Sequence, residues 1–271
     1  MVSSLSRLGS DLREILHEQV EYRELLFSIV QRDLLLRYKQ TVMGFGWAIF
    51  MPVLNTIIFS IIFTRVTRVD TGGIPYPIYA FAGLLPWNFF ATALRFSVAS
   101  LTSNATLVTK VYFPRELFPF SAVLVSLIDF AVAFTVLVAM MVYYHIGVTW
   151  VVLALPVILL VQIVFTCGLA LLLAMANLFY RDVKYLFEIV ITVWMFATSV
   201  VYPVELVGGR LGALLLLNPM TPIIDAYRAV LLRGTLPPAA PSARAAAVAL
   251  VMLALGWVVF HRAEFRFAES I

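Results

Sequence analysis

Residues 31–55 read QRDLLLRYKQTVMGFGWAIFMPVLN, and this stretch decides the fold. A charged, helix-forming segment ends at Arg37 and Lys39, a short Gly44-Phe45-Gly46 hinge follows, and Trp47 opens an apolar run without charges. An apolar run of about 20 residues is long enough to cross a membrane as a helix. The stretch therefore predicts a helix on the membrane surface that turns directly into a first span, a geometry that suits a subunit driven by a cytosolic partner.

The composition is that of a polytopic helical membrane protein. Of 271 residues, 62% are hydrophobic and only 13% are charged, and the mean hydropathy is +0.98. A soluble domain carries about 25% charged residues. The net charge of +4 comes without a clustered basic face, which argues against nucleic-acid binding. The single cysteine, Cys167, lies in an apolar run and is expected to be an inert packing residue.

Six apolar segments are predicted to span the membrane, which puts both termini on one side. They are residues 47–64, 77–98, 117–144, 151–179, 185–202 and 245–260. Of the 19 Lys and Arg residues, twelve fall on the side of the termini, six on the opposite side, and Arg95 lies within the second span. Because cytoplasmic loops carry an excess of Lys and Arg, both termini are expected in the cytosol. The first forty residues also lack the apolar core of a signal peptide.

Residues 10–40, before the first span, are predicted to form an amphipathic helix. Ser10 can cap its start, acidic residues fill its first half and basic residues its end, which complements the helix dipole. Two interpretations stay open from local physics: a lipid anchor held by anionic headgroups, or a docking surface for a cytosolic motor. The predicted organisation is a cytosolic segment, 1–43, followed by a membrane domain, 44–271.

The segment LGALLLLNPMTPII, residues 211–224, is free of charge but too short to span, and Asn218, Pro219 and Pro222 interrupt it. Non-helical backbone at membrane depth is tolerated only where protein or water covers it. We predict that residues 204–236 form a re-entrant helical hairpin on the outer side. An amphipathic loop on the surface is the alternative. An Ala/Pro linker, residues 237–247, is expected to lead into the sixth span.

The loop SNATLVTKVYFPRELFPF, residues 103–120, is predicted to contain a short rigid element. Pro114 and Pro119 restrict the backbone around Arg115 and Glu116, so a basic–acidic pair is expected at its tip. Such an element suits insertion into a partner's cleft, although a plain interfacial turn would have the same pattern.

Charged residues within the spans are costly and are candidate functional positions. Arg95 and Glu188 lie near the cytosolic ends of their spans and are expected to contact headgroups or each other. Asp129 lies deeper in the third span. A proton relay would need several carboxylates at matching depth, so Asp129 is expected to make a packing or inter-helix hydrogen bond instead.

No motif for catalysis or cofactor binding is present in the sequence. It contains no G-x-x-x-x-G-K-[ST] phosphate loop, its histidines (His17, His145 and His261) are far apart, and no carboxylate cluster of the kind a membrane glycosyltransferase needs is visible. The sequence thus predicts no catalytic residue, no metal site and no bound cofactor. A transporter of this kind must take its energy from another chain.

Five motifs in order resemble the membrane permease subunits of type-2 ABC exporters, in the branch that exports lipid-linked polysaccharides such as O-antigen, teichoic acid and capsule. They are RDLLLRYKQTVMGFGWAIFMPVLN at 32–55, LLPWNFF at 84–90, VTKVYFPRELFP at 108–119, NLFYRDVKYL at 177–186 and NPMTPIIDAYRAVLL at 218–232. Each motif alone is weak, but their combination over about 200 residues is specific. Relatives that handle different glycans share them, so the glycan is not determined.

The resemblance implies a homodimer of six-span subunits in a bacterial cytoplasmic membrane, paired with two copies of a cytosolic ATPase that binds the ATP and Mg. It also implies an interface helix at 10–40, a coupling helix at about 103–116 and a hairpin that closes the exit for an undecaprenyl-linked polysaccharide. The residues expected to couple to the ATPase are Arg37, Lys39, Lys110, Arg115 and Glu116. Those expected at the exit gate are Asn218, Pro219 and Pro222.

Aromatic residues near the span ends have two explanations that the sequence does not separate. Trp and Tyr form belts at membrane interfaces, but aromatic faces also stack on sugar rings. The candidates for a channel lining, or for the belt, are Trp47, Tyr79, Trp87, Phe89 and Phe90. Two other functions stay open: an ABC permease for a smaller drug or lipid cargo, and a membrane enzyme or scaffold in glycan assembly.

Overall fold

The computed structural model describes residues 22–39, 41–63, 71–110, 113–203 and 207–267, and the side chains of all of these except 110, 211, 213, 214 and 216. Within these ranges the regular structure is helical and contains no strand. The predicted all-α class is confirmed for this part of the chain. The first half of the predicted interface helix lies outside the described residues.

Ten α-helices follow one another along the described ranges. They are α1 Arg23–Tyr38, α2 Gly46–Ile61, α3 Tyr76–Ser103, α4 Ala105–Lys110, α5 Leu117–Tyr143, α6 Leu155–Phe179, α7 Val183–Phe196, α8 Gly209–Leu217, α9 Met220–Arg228 and α10 Ala239–Ala263. Tighter or wider turns extend three of them. These are the 3-10 turn Trp150–Ala154 before α6, the π turn Ala229–Arg233 after α9 and the 3-10 turn Glu264–Arg266 after α10.

The helices form a bundle with α3 at its centre. α3 packs against α2, α5, α6, α7 and α9, and most of its side chains are buried. One end of the bundle, named here the terminal end, carries α1, α4 and the end of α10, which share a cluster that includes Ile29, Phe118 and Phe260. The opposite end, named the hairpin end, carries α8 and α9, with Arg228 of α9 over the ring of Tyr79.

Two kinds of contact join the helices inside the bundle. α6 and α10 meet at a pair of glycines, since a Cβ on Gly256 would lie 2.4 Å from the carbonyl oxygen of Gly168. Small residues allow such close backbone approach between membrane helices. The second contact is polar: Gln162 of α6 donates to the Pro86 carbonyl of α3 at 2.7 Å and accepts the Tyr227 hydroxyl of α9 at 2.9 Å. Three helices are thereby tied together through one buried amide.

Three helical segments of the described chain are long and apolar enough to cross a membrane. They are Leu117–Tyr143, Trp150–Phe179 and Ala239–Arg266. α2 is also apolar but shorter, at 16 residues. The protein is therefore an integral membrane protein by composition and helix length, while the count of six spans stays a prediction.

Two predicted boundaries are wrong. The fifth span was expected to reach residue 202, but α7 ends at Phe196 and the chain turns, because the following carbonyls bind Arg228 instead of continuing the helix. The Ala/Pro linker at 237–247 is mostly helix, since α10 begins at Ala239; alanine is the best helix former, and proline is tolerated in a first turn. Within the region where a coupling helix is expected, about 103–116, the described helix is Ala105–Lys110, and its role in coupling stays a prediction.

Candidate functional site

The interface helix α1 is held to the bundle by a buried charge. Arg37 pairs with Asp129 of α5, and the Tyr38 hydroxyl donates to the same carboxylate. The Arg37 guanidinium also lies 3.7 Å from the centre of the Phe96 ring. Burial, together with the bond to Asp129, raises the pKa of the Tyr38 phenol, so that it remains a donor. The predicted inter-helix hydrogen bond of Asp129 is confirmed, and its partners lie on α1.

α1 presents apolar side chains on more than one face. Ile29 and Val30 are buried against the bundle, whereas Phe27, Leu35 and Leu36 are exposed. After α1 the chain turns through Gly44, whose φ of +52° suits glycine, and α2 begins at Gly46. The predicted turn from a surface helix into an apolar helix is therefore present. The exposed apolar residues suit a helix that lies in a membrane interface.

A cavity of about 530 Å³ opens between α1, α2, α3 and α5. Trp47 and Phe89 line it, together with Asn55, Asn88 and the Arg37–Asp129 pair. Arg95 lies on the same wall and donates to both carboxylate oxygens of Glu188, at 2.7 and 3.0 Å. The predicted contact between Arg95 and Glu188 is thus confirmed. The cavity combines aromatic, amide and ionic groups on one wall of the bundle.

The five aromatic candidates fall into two environments. Trp47 is 38% exposed. Tyr79, Trp87, Phe89 and Phe90 are buried within the subunit; Phe90 stacks on Phe165, with ring centres 5.7 Å apart. In this conformation the buried rings belong to the core of one subunit. A role in lining a conduit stays a prediction, which the cavity favours for Trp47 and Phe89 over the other three.

The residues expected to contact an ATPase also differ in their exposure to solvent. Lys39 is exposed at the end of α1, and α4 exposes Thr106, Leu107 and Thr109 at the terminal end. The side chain of Lys110 lies outside the described residues. Arg115 and Glu116 were expected at the tip of the loop but are turned inward: the guanidinium of Arg115 donates to the Glu264 carbonyl, and Glu116 is 3% exposed. The loop therefore presents α4 outward and ties its second half to the C-terminal helix.

The hairpin end contains the three residues expected at an exit gate. Asn218 lies between α8 and α9 and bonds to the end of α7: it donates to Thr198 Oγ1 at 2.7 Å and accepts from Trp194 Nε1 at 3.0 Å. Pro219 caps α9, and Pro222 is buried within it. Nearly all of α9 is buried, which a loop on the surface would not be. Two short helices, α8 and α9, are present on either side of Asn218 and Pro219, and a re-entrant hairpin made of them stays a prediction.

Arg228 is the site residue that sequence reasoning missed. Its side chain is 2% exposed and donates to the carbonyls of Ser199 and Val200 at 2.6 and 2.5 Å and, at 3.4 Å, to that of Tyr79. Arg228 thus joins three elements: its own helix α9, the helix α3, and the turn that follows α7. The sequence placed Arg228 among the basic residues of an outer loop, and only its position inside the NPMTPIIDAYRAVLL motif could have drawn attention to it.

The sequence is similar to a described family of transporters over most of its length. A family profile described as "ABC-2 type transporter" matches residues 24–232. The matched region contains α1 except for Arg23, the residues that line the cavity, α4, α8 and α9 with Arg228.

Curated relatives resemble nearly the whole chain. The "O-antigen export system permease protein RfbA" of Myxococcus xanthus is 34% identical over 95% of this chain and 99% of its own length. A protein of the same name from Klebsiella pneumoniae is 29% identical over 92% of this chain and 95% of its own length. The "Polysialic acid transport protein KpsM" of Escherichia coli is 22% identical over 86% of this chain and 91% of its own length.

Proposed function

The chain belongs to the ABC-2 type transporter family, and from that premise we propose that it is the permease subunit of an ATP-driven exporter of lipid-linked polysaccharide. The observation that carries the proposal is the similarity, along nearly the full chain, to a protein named for O-antigen export. Full-length similarity covers the cavity wall and the hairpin alike, and not only one helix pair. The name of the Escherichia coli relative, polysialic acid transport, also concerns a glycan.

The working unit in this proposal is a homodimer with two ATPase subunits in a bacterial inner membrane. Each subunit crosses the membrane six times, with both termini and the terminal end in the cytosol. The order of α2, α3, α5, α6, α7 and α10 along the chain supports this topology. The hairpin then lies on the outer side, with Asn218, Pro219 and Pro222 at the exit, and the substrate is an undecaprenyl-linked glycan.

The chain's own residues support a role in transport without a part in ATP hydrolysis. It has no phosphate loop, so ATP and Mg are assigned to the partner, and no catalytic residue is proposed. The cavity wall of aromatic and amide side chains suits sugar stacking and hydrogen bonding better than it suits a purely apolar cargo. A drug or lipid permease is the second candidate.

Complementation distinguishes these functions. The chain should restore surface glycan to a strain that lacks a polysaccharide-export permease only when its ATPase partner can hydrolyse ATP, measured by immunoblot of surface polysaccharide. Export with an inactive ATPase would contradict an ATP-driven subunit. Resistance to drugs without recovery of any glycan would instead favour the smaller cargo.

The exposed face of α4 provides a test of coupling. Leu107 is 36% exposed at the terminal end, so changing Leu107→Asp should leave the bundle folded but weaken the contact with the ATPase, since a charge would have to be desolvated at the interface. We expect loss of ATPase co-purification and of transport. Val148→Asp is the matched control, because Val148 is also an exposed apolar residue, 70% exposed, but lies in the loop between α5 and α6. Equal effects of the two changes would refute the coupling assignment of α4.

A further inference from the structure

Glu116, His261 and Glu264 form a three-residue cluster at the terminal end of the bundle. Glu116 ends the loop after α4, whereas His261 lies in the last turn of α10 and Glu264 follows it. One ligand atom from each side chain can be chosen so that all lie within 4.8 Å of one another. The three residues thus connect the loop that carries α4 with the C-terminal helix.

The separations within the cluster are too long for hydrogen bonds but suit a shared ion. His261 Nδ1 lies 3.8 Å from Glu116 Oε1 and 3.7 Å from Glu264 Oε2. Hydrogen bonds between nitrogen and oxygen are about 2.7–3.2 Å long. Tetrahedral ligands with bonds of about 2.1 Å to a zinc ion lie about 3.4 Å apart. The two separations from His261 exceed this value by about 0.3–0.4 Å. The third, between the two carboxylate oxygens, is at most 4.8 Å, so a contraction of up to about 1.4 Å would place the three atoms around one cation.

The Glu116 carboxylate gives the second, independent indication. Its side chain is 3% exposed, and it accepts no hydrogen bond from any residue that the structure describes. A buried carboxylate is expensive unless it is paired or coordinates a metal. Among the described residues its ion-pair partner is the imidazole of His261, which is neutral when it acts as a ligand, and the Glu264 carboxylate in the same cluster adds a second negative charge. A divalent cation would satisfy the buried charge.

Arg115 orients the second carboxylate without occupying the site. Its Nε lies 3.8 Å from Oε1 of Glu264, while Oε2 faces His261, and it also donates to the backbone carbonyl of Glu264. Partners of this kind hold metal-binding carboxylates in position. His261 is 44% exposed, so an ion can enter from solvent and a water molecule can complete the coordination.

We propose that Glu116, His261 and Glu264 bind a divalent transition-metal cation. The ion joins the loop after α4, which ends at Glu116, to the C-terminal helix. One imidazole nitrogen and two carboxylate oxygens suit Zn²⁺ or a similar ion. The bound ion would restrict the motion of α4 relative to α10. This site is separate from the cavity and does not depend on the identity of the cargo.

Metal titration of the assembled transporter tests the site. The complex would be purified without a polyhistidine tag, treated with a chelator, and titrated with Co²⁺ as a spectroscopic probe and with Zn²⁺ in competition. We expect saturable binding of one ion per permease subunit, with visible absorption bands typical of Co²⁺ in a low-symmetry site. Zn²⁺ should also raise the unfolding temperature of the wild-type complex, because it binds only the folded state.

Two variants and one control make the result decisive. His261→Ala and Glu264→Gln should each lower the affinity for Co²⁺ by at least about tenfold, and both residues are partly exposed, so that folding should survive. His145→Ala, at an exposed histidine in a distant loop, should leave the affinity unchanged. Absence of saturable binding, or equal binding by the His261 and His145 variants, would overturn the proposal. Since the readout is metal binding, this failure would leave the export function untouched.

Discussion

Replacing Arg228 with leucine should destabilise the folded subunit severely and abolish export. The guanidinium supplies hydrogen bonds to the carbonyls of Ser199, Val200 and Tyr79, and all three residues are at most 1% exposed. Each buried carbonyl left without a donor costs about 1–3 kcal/mol. Leucine would also remove the cation that lies 3.9 Å from the centre of the Tyr79 ring. The hairpin would then lose the hydrogen bonds of Arg228 to α3 and to the turn after α7.

The amount of monodisperse protein in detergent and its unfolding temperature measure this effect. Arg233→Leu is the matched control, because Arg233 lies five positions later and is exposed, so its loss should change little. Arg228→Lys should be intermediate, since lysine keeps the charge but not the planar fork that contacts several carbonyls. A leucine variant as stable as the control would show that the Arg228 hydrogen bonds are not what holds the hairpin in place.

Gly83 allows the same contact to be disturbed without changing Arg228. A Cβ at Gly83 would lie 2.3 Å from both Arg228 Nη2 and the Val200 carbonyl oxygen. Gly83→Ala should therefore displace the guanidinium and reproduce part of the Arg228→Leu phenotype. Because the alanine side chain is small and apolar, a normal protein from this variant would mean that the Arg228 contacts are not needed for stability.

The sequence was informative about helices and much less so about what joins them. The third span was predicted at 117–144 and α5 is Leu117–Tyr143, because long apolar runs leave little freedom in where a membrane helix begins and ends. The end of α7 was missed, since the turn after it is stabilised by Arg228, a residue distant in sequence. Boundaries set by local composition were thus predictable, and boundaries set by tertiary hydrogen bonds were not.

In the candidate sites, too, local features were predictable from the sequence and tertiary partners were not. Asp129 was expected to form a hydrogen bond with another helix. Its partners on α1, Arg37 and Tyr38, could not be predicted from the spacing of residues along the sequence. Arg115 and Glu116 were expected to face outward, since a loop between two prolines gives no sign that the C-terminal helix folds against it. The sequence predicts no metal site, because the histidines are far apart. His261 and Glu264 are three positions apart, but Glu116 comes from another part of the chain, so a search for local ligand motifs does not find the three together.

The second prediction with a large expected effect concerns the Arg37–Asp129 pair. Both side chains are mostly buried, at 15% and 17% exposed, and removing one partner of a buried ion pair costs about 3–5 kcal/mol. Asp129→Asn should therefore detach or destabilise α1, as measured by unfolding temperature and by protease cleavage between α1 and α2. Glu188→Gln is the matched carboxyl-to-amide control. Its pair with Arg95 is about half exposed, so a loss of less than about 1 kcal/mol is expected.

A double variant separates the structural role of Arg37 from its predicted role in coupling. Arg37→Gln combined with Asp129→Asn leaves two neutral amides that can bond to each other, so that much of the lost stability should return. If Arg37 serves only to hold α1, export should return as well. If it also transmits force from the ATPase, the double variant should fold and bind the ATPase but fail to export. A double variant no more stable than Asp129→Asn alone would mean that the charge pair is not what joins α1 to α5. The exposed apolar side chains of α1 would then have to account for the position of this helix.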